Sequence, residues 1–393
     1  MAGRKNEMAK TYRHLWQRMV DPENIEDAIH AAARGKSRRR EVMRALADIP
    51  ATVARIREAL ERDEWRPPSV RKGRWFSDGI ARKKRLLVEP DFDEQIIQHV
   101  LVDSVIAPIF RPGFFEWSCC SIPGRGQESM AKHVAKKVKR GGRRVKYAAT
   151  LDIRKCFQSV SVDAVYSAVA EKVSDARVLA LVRRILDANT IEVDGETIAG
   201  GVPVGLYTSP WFVNILLTSV DRAVKSPRRG ESPKAARRST IYLYVRYIDD
   251  MLLMHGNRRE LERAIAEIGE RIGMYGLELK RKPSTRRFAP DGDKLRFTGF
   301  HIHADGRMEV RDRVFLRARR LGAKIRRERA SGRRVTAHDA ERLISYGGRF
   351  RAFGSYNAFP KRVLCGINFA LMRRKVAERD RLRQKNRATK GVA

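Results

Sequence analysis

The chain has 393 residues and carries 83 Lys and Arg against 46 Asp and Glu, which gives a formal charge of +37 at pH 7. The length indicates two or three domains, or one fold with several subdomains, and the 42% of hydrophobic residues is enough for a core. The charge argues against an ordinary small-metabolite enzyme and favours a polyanionic partner, with nucleic acid the first candidate and an anionic membrane the second.

The first predicted elements are helices followed by a hairpin. From Val42, apolar residues recur at positions 46, 49, 53, 56 and 60, which is a helical spacing. Pro50 divides this pattern into two helices, the second beginning near Asp48. Residues 75–88 are basic and aromatic, and the run Ser77-Asp78-Gly79 predicts a hairpin turn. A helix over residues 96–105 and a Pro/Gly loop over residues 121–126 complete this part.

The middle of the chain alternates strands and helices. A strand is predicted over residues 147–153, followed by a helix with its apolar face at positions 165, 168, 169 and 173. Asp194-Gly195, between two β-forming runs, predicts a two-residue hairpin. Ser209-Pro210 predicts a helix N-cap followed by a first-turn proline, with a buried face at positions 211, 212, 215 and 216.

The remaining elements complete an α+β pattern. Residues 226–239 are rich in Pro, Ser and Arg and predict a mobile loop. Short strands over residues 242–247 and 251–255 flank Ile248-Asp249-Asp250, and an amphipathic helix follows over residues 261–272. Beyond Arg311 the chain is predicted to be helical and very basic. Hairpins rather than βαβ units connect the strands, so the expected fold class is α+β.

Three carboxylates stand out in so basic a chain. Asp152 ends a predicted strand, and Asp249 and Asp250 lie at the tip of a predicted hairpin. Carboxylates brought together repel one another, and divalent cations relieve that repulsion. Two ions ~3.5–4 Å apart are the arrangement that enzymes of nucleotidyl transfer use. The pattern therefore predicts a two-metal site.

Several ordered motifs resemble those of reverse transcriptases from bacterial retroelements. They are residues 152–157 (DIRKCF), 201–210 (GVPVGLYTSP) and 247–250 (YIDD), in that order. The resemblance extends over about residues 83–300. It implies a right-handed polymerase with fingers, palm and thumb, which is an RNA-directed DNA polymerase. The subdomains are expected at residues 1–75 (helical extension), 76–310 (fingers and palm) and 311–393 (thumb and tail).

The resemblance also implies roles for individual residues. Asp152 and Asp249 correspond to the catalytic metal ligands, with Asp250 in support and Ile153 offering its backbone carbonyl to the second metal. Phe157 corresponds to the aromatic residue under the incoming sugar, for which plain core packing is the alternative. The other implied nucleotide-binding residues are Lys83, Arg85, Val204, Gly205, Tyr247 and Lys282, with Lys280 as the alternative to Lys282. The implied primer grip is Phe297, Gly299 and Phe300, for which a structural role is the alternative.

Two departures from common motif patterns bear on which subgroup of reverse transcriptases the chain resembles. Many reverse transcriptases carry Gln where this chain has Val204, and an apolar residue there is typical of diversity-generating retroelements, which favours low fidelity. The run DEQIIQH at residues 93–99 resembles the same subgroup, whereas Pro210 follows the general family pattern.

The expected cofactor is a pair of Mg²⁺ ions, for which Mn²⁺ can substitute. The expected partners are an RNA template, a DNA or RNA primer, dNTPs, a cognate non-coding RNA and a basic accessory protein. No membrane partner is expected, because no apolar stretch approaches the ~18 residues of a span, and the expected location is the cytoplasm of a bacterium, with the gene bacterial or phage-encoded. Three alternatives stay open: an antiviral-defence role, an RNA-dependent RNA polymerase, and a maturase-like RNA-binding scaffold.

Overall fold

The computed structural model describes residues 11–36, 39–77, 84–225, 239–281, 283–288, 293–352 and 359–388. The chain divides into two compact units, Met1–Gly126 with Tyr147–Arg286, and Gln127–Lys146 with Arg287–Ala393. Among the described residues, no helix is both long enough and apolar enough to cross a membrane. The division into subdomains at residues 75 and 310 stays a prediction.

The helices of the described residues are given in chain order. They are α1 Trp16–Met19, α2 Pro22–Ala33, α3 Arg40–Ala47, α4 Ile49–Glu61, α5 Phe92–Val100, α6 Ala107–Phe110, α7 Gln127–Gly141, α8 Cys156–Ser159, α9 Val162–Ala170, α10 Ala176–Asp187, α11 Ser209–Lys225, α12 Arg258–Gly273, α13 Asp312–Ala330, α14 Ala337–Ala352 and α15 Phe369–Ala388. A π-helical segment, Leu101–Ile106, joins α5 to α6, and a second one, Phe359–Leu364, precedes α15.

The strands are mostly short. They are β1 Val70–Ser77, β2 Lys84–Val88, β3 Ser118–Cys119, β4 Tyr147–Asp152, β5 Thr190–Val193, β6 Glu196–Ile198, β7 Leu243–Tyr247, β8 Asp250–His255, β9 Arg286–Arg287, β10 Lys294–Phe297, β11 Phe300–His303 and β12 Met308–Val310. Helices and strands are thus interleaved, and the predicted α+β class is confirmed.

The centre of the first unit is a sheet in which β3, β7, β8 and β4 lie in that order. β7 and β4 flank β8 in antiparallel pairs, and β3 runs parallel to β7. The four residues at 251–254 in β8 are all completely buried, because both faces of this central strand are covered. Helix α12 packs against β4 and β8 through Leu261, Ala264, Ile265, Ile268 and Ile272, the predicted apolar face.

A second sheet of the same unit has the order β2-β1-β5-β6. The predicted hairpin at Asp194-Gly195 is confirmed, since both residues have positive φ (52° and 83°) and connect β5 to β6. β1 pairs antiparallel with β2, as a hairpin at residues 75–88 predicts. Two of its predicted turn residues, Asp78 and Gly79, lie outside the described residues.

Local signals at helix ends were correct in one case and wrong in another. The Asp48 side chain accepts from the Ala51 N–H at 3.0 Å and caps α4, with Pro50 in the first turn, as predicted. The predicted cap at Ser209 is wrong, because its hydroxyl donates to the Pro203 carbonyl at 2.6 Å. Helix α10 was not predicted from the sequence. Of the predicted mobile loop, residues 226–238 lie outside the described residues.

The second unit combines a three-stranded sheet, β10-β11-β12, with helices. α7 packs against β11, and α14 packs against both α13 and α15. The aromatic rings of Phe315, Phe350, Phe359 and Phe369 contact one another in that order, in tilted and edge-to-face pairs with centroid distances of 5.0–6.0 Å. The predicted helical character beyond Arg311 is confirmed.

One carboxylate fastens the beginning of the described chain to the rest of the first unit. Asp175 Oδ2 accepts from the backbone N–H groups of Leu15 (2.7 Å) and Trp16 (2.9 Å). Its Oδ1 accepts from Arg177 and Val178 and so caps α10. A single side chain therefore satisfies four backbone donors from two parts of the chain that lie about 160 positions apart.

We expect Asp175→Ala to lower the free energy of unfolding by about 2–3 kcal/mol, because it removes a helix cap and two charge-assisted hydrogen bonds. Hydrogen exchange should show lost protection at the Leu15 and Trp16 amides. The matched control is Asp21→Ala, since Asp21 caps only its own helix, α2. It should cost about 1 kcal/mol and leave those two amides protected. Equal protection in both variants would contradict the anchoring role.

Candidate active site

Two of the predicted carboxylates lie directly opposite each other on neighbouring strands of the central sheet. Asp152 is the last residue of β4 and Asp250 the first of β8, and the two are direct register partners. Residues directly opposite in an antiparallel pair project to the same face, with Cβ atoms roughly 4.5–5.5 Å apart. Both side chains are half-buried. Residues 98 positions apart in the sequence are thereby brought together.

The third carboxylate lies in the turn between β7 and β8. Tyr247 pairs with Asp250, so the turn consists of two residues, Ile248 and Asp249. The Ile153 N–H donates to the Asp249 carbonyl at 3.2 Å, which ties this turn to the end of β4. Ile248 has φ +55°, a conformation that costs a residue other than glycine roughly 1–3 kcal/mol.

A buried thiol reports the charge of these acids. Burial, followed by the charges of Asp249 and Asp152, raises the pKa of the Cys156 thiol to about 12. The charges of both carboxylates thus oppose ionisation of this thiol. Asp152, Asp249 and Asp250 thus gather at one end of β4 and β8, as the sequence predicted for their positions.

An ammonium group neutralises one of these acids. Lys280 Nζ lies 2.7 Å from Asp152 Oδ2, and the Lys280 N–H donates to the Asp152 carbonyl at 2.8 Å. The two side chains are 43% and 34% exposed, so the pair contributes little to stability and a competing cation can displace it. Lys282, which was predicted with Lys280 as its alternative to bind the nucleotide, lies outside the described residues.

The backbone of Phe157 is held by the loop that precedes α11. The Val202 N–H donates to the Phe157 carbonyl at 2.7 Å. Gly201 has φ +65°, and a Cβ there would overlap the same carbonyl oxygen. Phe157 itself is half-buried. Gly201 therefore allows the close approach that positions Phe157.

The next residues of this loop contact the end of β2. The Val88 N–H donates to the Val204 carbonyl at 2.8 Å. Gly205 has φ +118°, and a Cβ there would overlap the Val88 carbonyl oxygen. Arg85 lies on β2 and is exposed. The structure thus joins two predicted nucleotide-binding segments, while Lys83 lies outside the described residues.

A buried polar network that sequence reasoning missed supports this loop. Arg71 Nη1 donates to Glu94 (2.7 Å), and Glu94 accepts from Gln98 (2.8 Å). The Gln98 carbonyl oxygen accepts from both the N–H and the hydroxyl of Thr208, at 3.2 and 3.1 Å. All four side chains are almost fully buried. The only sequence signal is the i,i+4 spacing of Glu94 and Gln98 on helix α5.

The predicted primer grip lies in the second unit. Phe297 and Phe300 are register partners in the β10–β11 hairpin, and both are buried. Thr298 and Gly299 form the turn with φ of 40° and 95°. The roles of these residues stay predictions, as do the backbone role of the buried Ile153 and the role of Tyr247, the last residue of β7.

Among the described residues, no group of three or more His, Cys, Asp or Glu side chains has an arrangement recognised as a metal site. The carboxylates are nevertheless the hard oxygen donors that Mg²⁺ prefers. They share one strand end, and Lys280 shows that this end accepts a cation beside Asp152. The residue types and their proximity therefore fit a divalent ion.

Comparison with known proteins identifies the region that contains this site. Residues 70–302 match the family model described as "Reverse transcriptase (RNA-dependent DNA polymerase)". No curated protein matches the sequence.

Solved structures of telomerase are similar at low identity. Telomerase from Candida albicans, in complex with a TWJ fragment of telomeric RNA, is 12% identical with a TM-score of 0.44, covering 64% of this chain and 46% of the telomerase chain. Apo telomerase from Candida tropicalis, truncated from the C-terminal domain, is 12% identical with a TM-score of 0.44, covering 62% of this chain and 55% of that chain. A second structure of apo telomerase from Candida tropicalis is 14% identical with a TM-score of 0.43, covering 62% of this chain and 49% of that chain. This chain thus spans about half the length of these telomerases.

We expect Gly205→Ala to lower nucleotide incorporation efficiency (kcat/KM) roughly 10- to 100-fold, because the new Cβ displaces the loop from Val88. Steady-state primer extension measures this. Gly195→Ala is the control, since Gly195 also has positive φ but no heavy atom lies within 4 Å of the Cβ that alanine would add. Alanine disfavours positive φ at both positions, so Gly195→Ala tests the effect of positive φ without the clash. Equal kinetic losses would show that the contact with Val88 is unimportant.

Proposed function

We propose that this chain, which belongs to the reverse transcriptase family, is an RNA-directed DNA polymerase, a nucleotidyltransferase, and that Asp152, Asp249 and Asp250 are its catalytic carboxylates. The observation that carries this proposal is the β4–β8 register, which pairs Asp152 with Asp250 beside the turn that contains Asp249. The reaction proposed is addition of dNTPs to the 3′ end of a primer on an RNA template.

The proposed cofactor is a pair of Mg²⁺ ions, with Mn²⁺ able to substitute. Asp152 and Asp249 would bind them, Asp250 would support, and the Ile153 carbonyl would contribute to the second site. When bound, such ions polarise the reacting phosphate and offset its developing charge. The protein's own contribution is to hold three like charges at one strand end, where Lys280 offsets part of their repulsion.

The nucleotide would lie against the loop of Val204 and Gly205. Gly205 leaves the backbone there exposed, and Phe157 is held beside it through Gly201 and Val202. Arg85, with Lys83 and Lys282 from outside the described residues, would attract the triphosphate electrostatically. Tyr247 would border the site through its pairing with Asp250.

The positive charge supports a nucleic acid partner. Along α13, the exposed arginines are Arg313, Arg319, Arg320, Arg327 and Arg329. Exposed guanidinium groups along one helix suit the phosphates of a template–primer duplex, and phosphate contacts make binding weaken steeply as salt rises. We propose Phe297, Gly299 and Phe300 as the segment that contacts the primer end.

The biological role proposed is replication or diversification within a bacterial or phage retroelement, in the cytoplasm, with a cognate non-coding RNA and a basic accessory protein. Val204 supports the diversity-generating subgroup, since an apolar side chain offers no hydrogen bond near the nucleotide. A repeat pair beside the gene would support diversification, whereas neighbouring defence genes would support an antiviral role instead.

We expect Asp249→Asn and Asp152→Asn each to reduce primer extension at least about 10³-fold, because several kcal/mol of metal-dependent stabilisation is lost. Affinity for the template–primer duplex should stay unchanged. Asp194→Asn, at an exposed hairpin turn, is the control and should retain activity. Continued synthesis by either site variant would refute the assignment, whereas duplex binding without any synthesis by the wild-type chain would favour the RNA-binding scaffold.

We expect Phe157→Ala to increase incorporation of ribonucleotides relative to deoxyribonucleotides by roughly 10- to 100-fold, since the ring would no longer exclude a 2′-hydroxyl. Single-nucleotide incorporation with matched dNTP and NTP pairs measures this ratio. Tyr166→Ala, which removes another half-buried ring of the same unit, should leave the ratio unchanged. An unchanged ratio in Phe157→Ala would identify Phe157 as core packing, and a wild-type preference for NTPs would indicate an RNA polymerase.

A further inference from the structure

The turn that carries Asp249 has a conformation that its own sequence disfavours. In a two-residue hairpin turn, positive φ at the first position favours glycine, yet Ile248 occupies this position with φ +55°. A branched side chain strongly disfavours that region. Such a conformation persists only where the surrounding structure over-determines it. The residues around the turn must therefore hold Ile248 at positive φ.

The constraint lies directly beneath the turn, in a guanidinium group with no exposed surface. Arg246 Nη1 donates to the Ile248 carbonyl at 3.3 Å and to Asn214 Oδ1 at 2.9 Å. Its Nε and Nη2 donate to the two oxygens of Asp221 at 2.8 and 2.6 Å, and Nη2 also donates to Ser118 Oγ at 2.6 Å. The planar fork thus connects the turn to β3 and to α11.

The anchor of this guanidinium is itself fully buried. Asp221 is 0% exposed and also accepts from Tyr244 Oη at 2.7 Å. Burial lowers the pKa of Arg246, but the charge of Asp221 raises it further, so that the net shift is upward and the guanidinium stays charged. A buried ion pair adds little net stability compared with apolar packing. Its value here is geometric, since it fixes the direction of each N–H bond.

The same network connects the turn that contains Asp249 to the nucleotide-binding loop of Val204 and Gly205. Asn214 and Asp221 lie on α11, which begins at Ser209, four positions after Gly205. Ser209 in turn donates to the Pro203 carbonyl within that loop. A shift of α11 would therefore move both the loop and, through Arg246, the turn that contains Asp249.

We propose that Arg246 is a positioning residue that sets the geometry of the Asp249 and Asp250 carboxylates by holding the Ile248 carbonyl and fixing it to α11. The proposal rests on the function proposed above for those acids. Arg246 touches neither substrate nor metal in this role. Lysine cannot replace it, because an ammonium group lacks the planar fork that serves four acceptor residues at once.

The test compares Arg246→Lys with Asp175→Ala in the full chain. Asp175 belongs to the same unit and stabilises it by capping α10 and anchoring Leu15 and Trp16, but none of these hydrogen bonds reaches the turn or α11. Both variants should lower the melting temperature. Only Arg246→Lys should weaken Mn²⁺ binding, by about 10- to 100-fold, the size seen when supporting partners of metal ligands are lost. Mn²⁺ binding is measured by electron paramagnetic resonance, with Asp249→Asn as the reference that lacks the site.

A second substitution separates turn geometry from general stability. Ile248→Gly, added to Arg246→Lys, lets the turn adopt positive φ without the carbonyl anchor. Mn²⁺ affinity should partly recover, although loss of the buried Ile248 side chain lowers the melting temperature further. A purely structural role for Arg246 requires affinity and stability to fall together, and that result would overturn the proposal.

The remaining outcomes also support or refute the positioning role of Arg246. If Arg246→Lys does not fold, Asn214→Ala removes one acceptor of Nη1 while keeping the Asp221 ion pair, and it should weaken Mn²⁺ binding more modestly. Wild-type Mn²⁺ affinity in the folded Arg246 and Asn214 variants, or equal losses in the Arg246 and Asp175 variants, would refute the positioning role. Primer extension by Asp249→Asn would instead refute the proposed function, so the two failures are distinguishable.

Discussion

The register between β4 and β8 is the constraint on which the candidate site depends. A slip of one residue would turn every side chain of one strand to the opposite face and would separate Asp152 from Asp250. The completely buried run at residues 251–254 prevents such a slip, because any other register would expose apolar side chains or bury the acids. Hydrophobic burial in the middle of the strand thus determines where charge accumulates at its end.

Two buried arginines of the first unit perform related tasks. Arg71 acts through Glu94 and Gln98 to hold the loop that leads into α11, whereas Arg246 holds the turn before Asp249. Neither ion pair is an efficient source of stability, since removing a guanidinium and a carboxylate from water costs several kcal/mol per ion. The apolar core supplies the stability, and the two networks select one arrangement of the loops.

Several elements could be predicted because their signals are local. The Asp194-Gly195 hairpin, the Asp48 cap and the apolar face of α12 depend on residues within one or two turns of each other. The Ser209 cap was wrong for the complementary reason. A hydroxyl chooses among all nearby partners, and the fold brings it the Pro203 carbonyl. The ordered motifs also located the carboxylates correctly, although their catalytic roles stay predictions.

By itself, the sequence determined the α+β class and the membership of the reverse transcriptase family over residues 70–302, and its charge favoured a polyanionic partner. Only the tertiary structure decided that Lys280 pairs with Asp152, that Gly205 lies against Val88 and that Arg246 reaches Ile248. Local patterns report how a segment partitions between water and the core. They do not report which distant side chain or carbonyl a buried polar group meets, because that partner exists only once the core has closed around both.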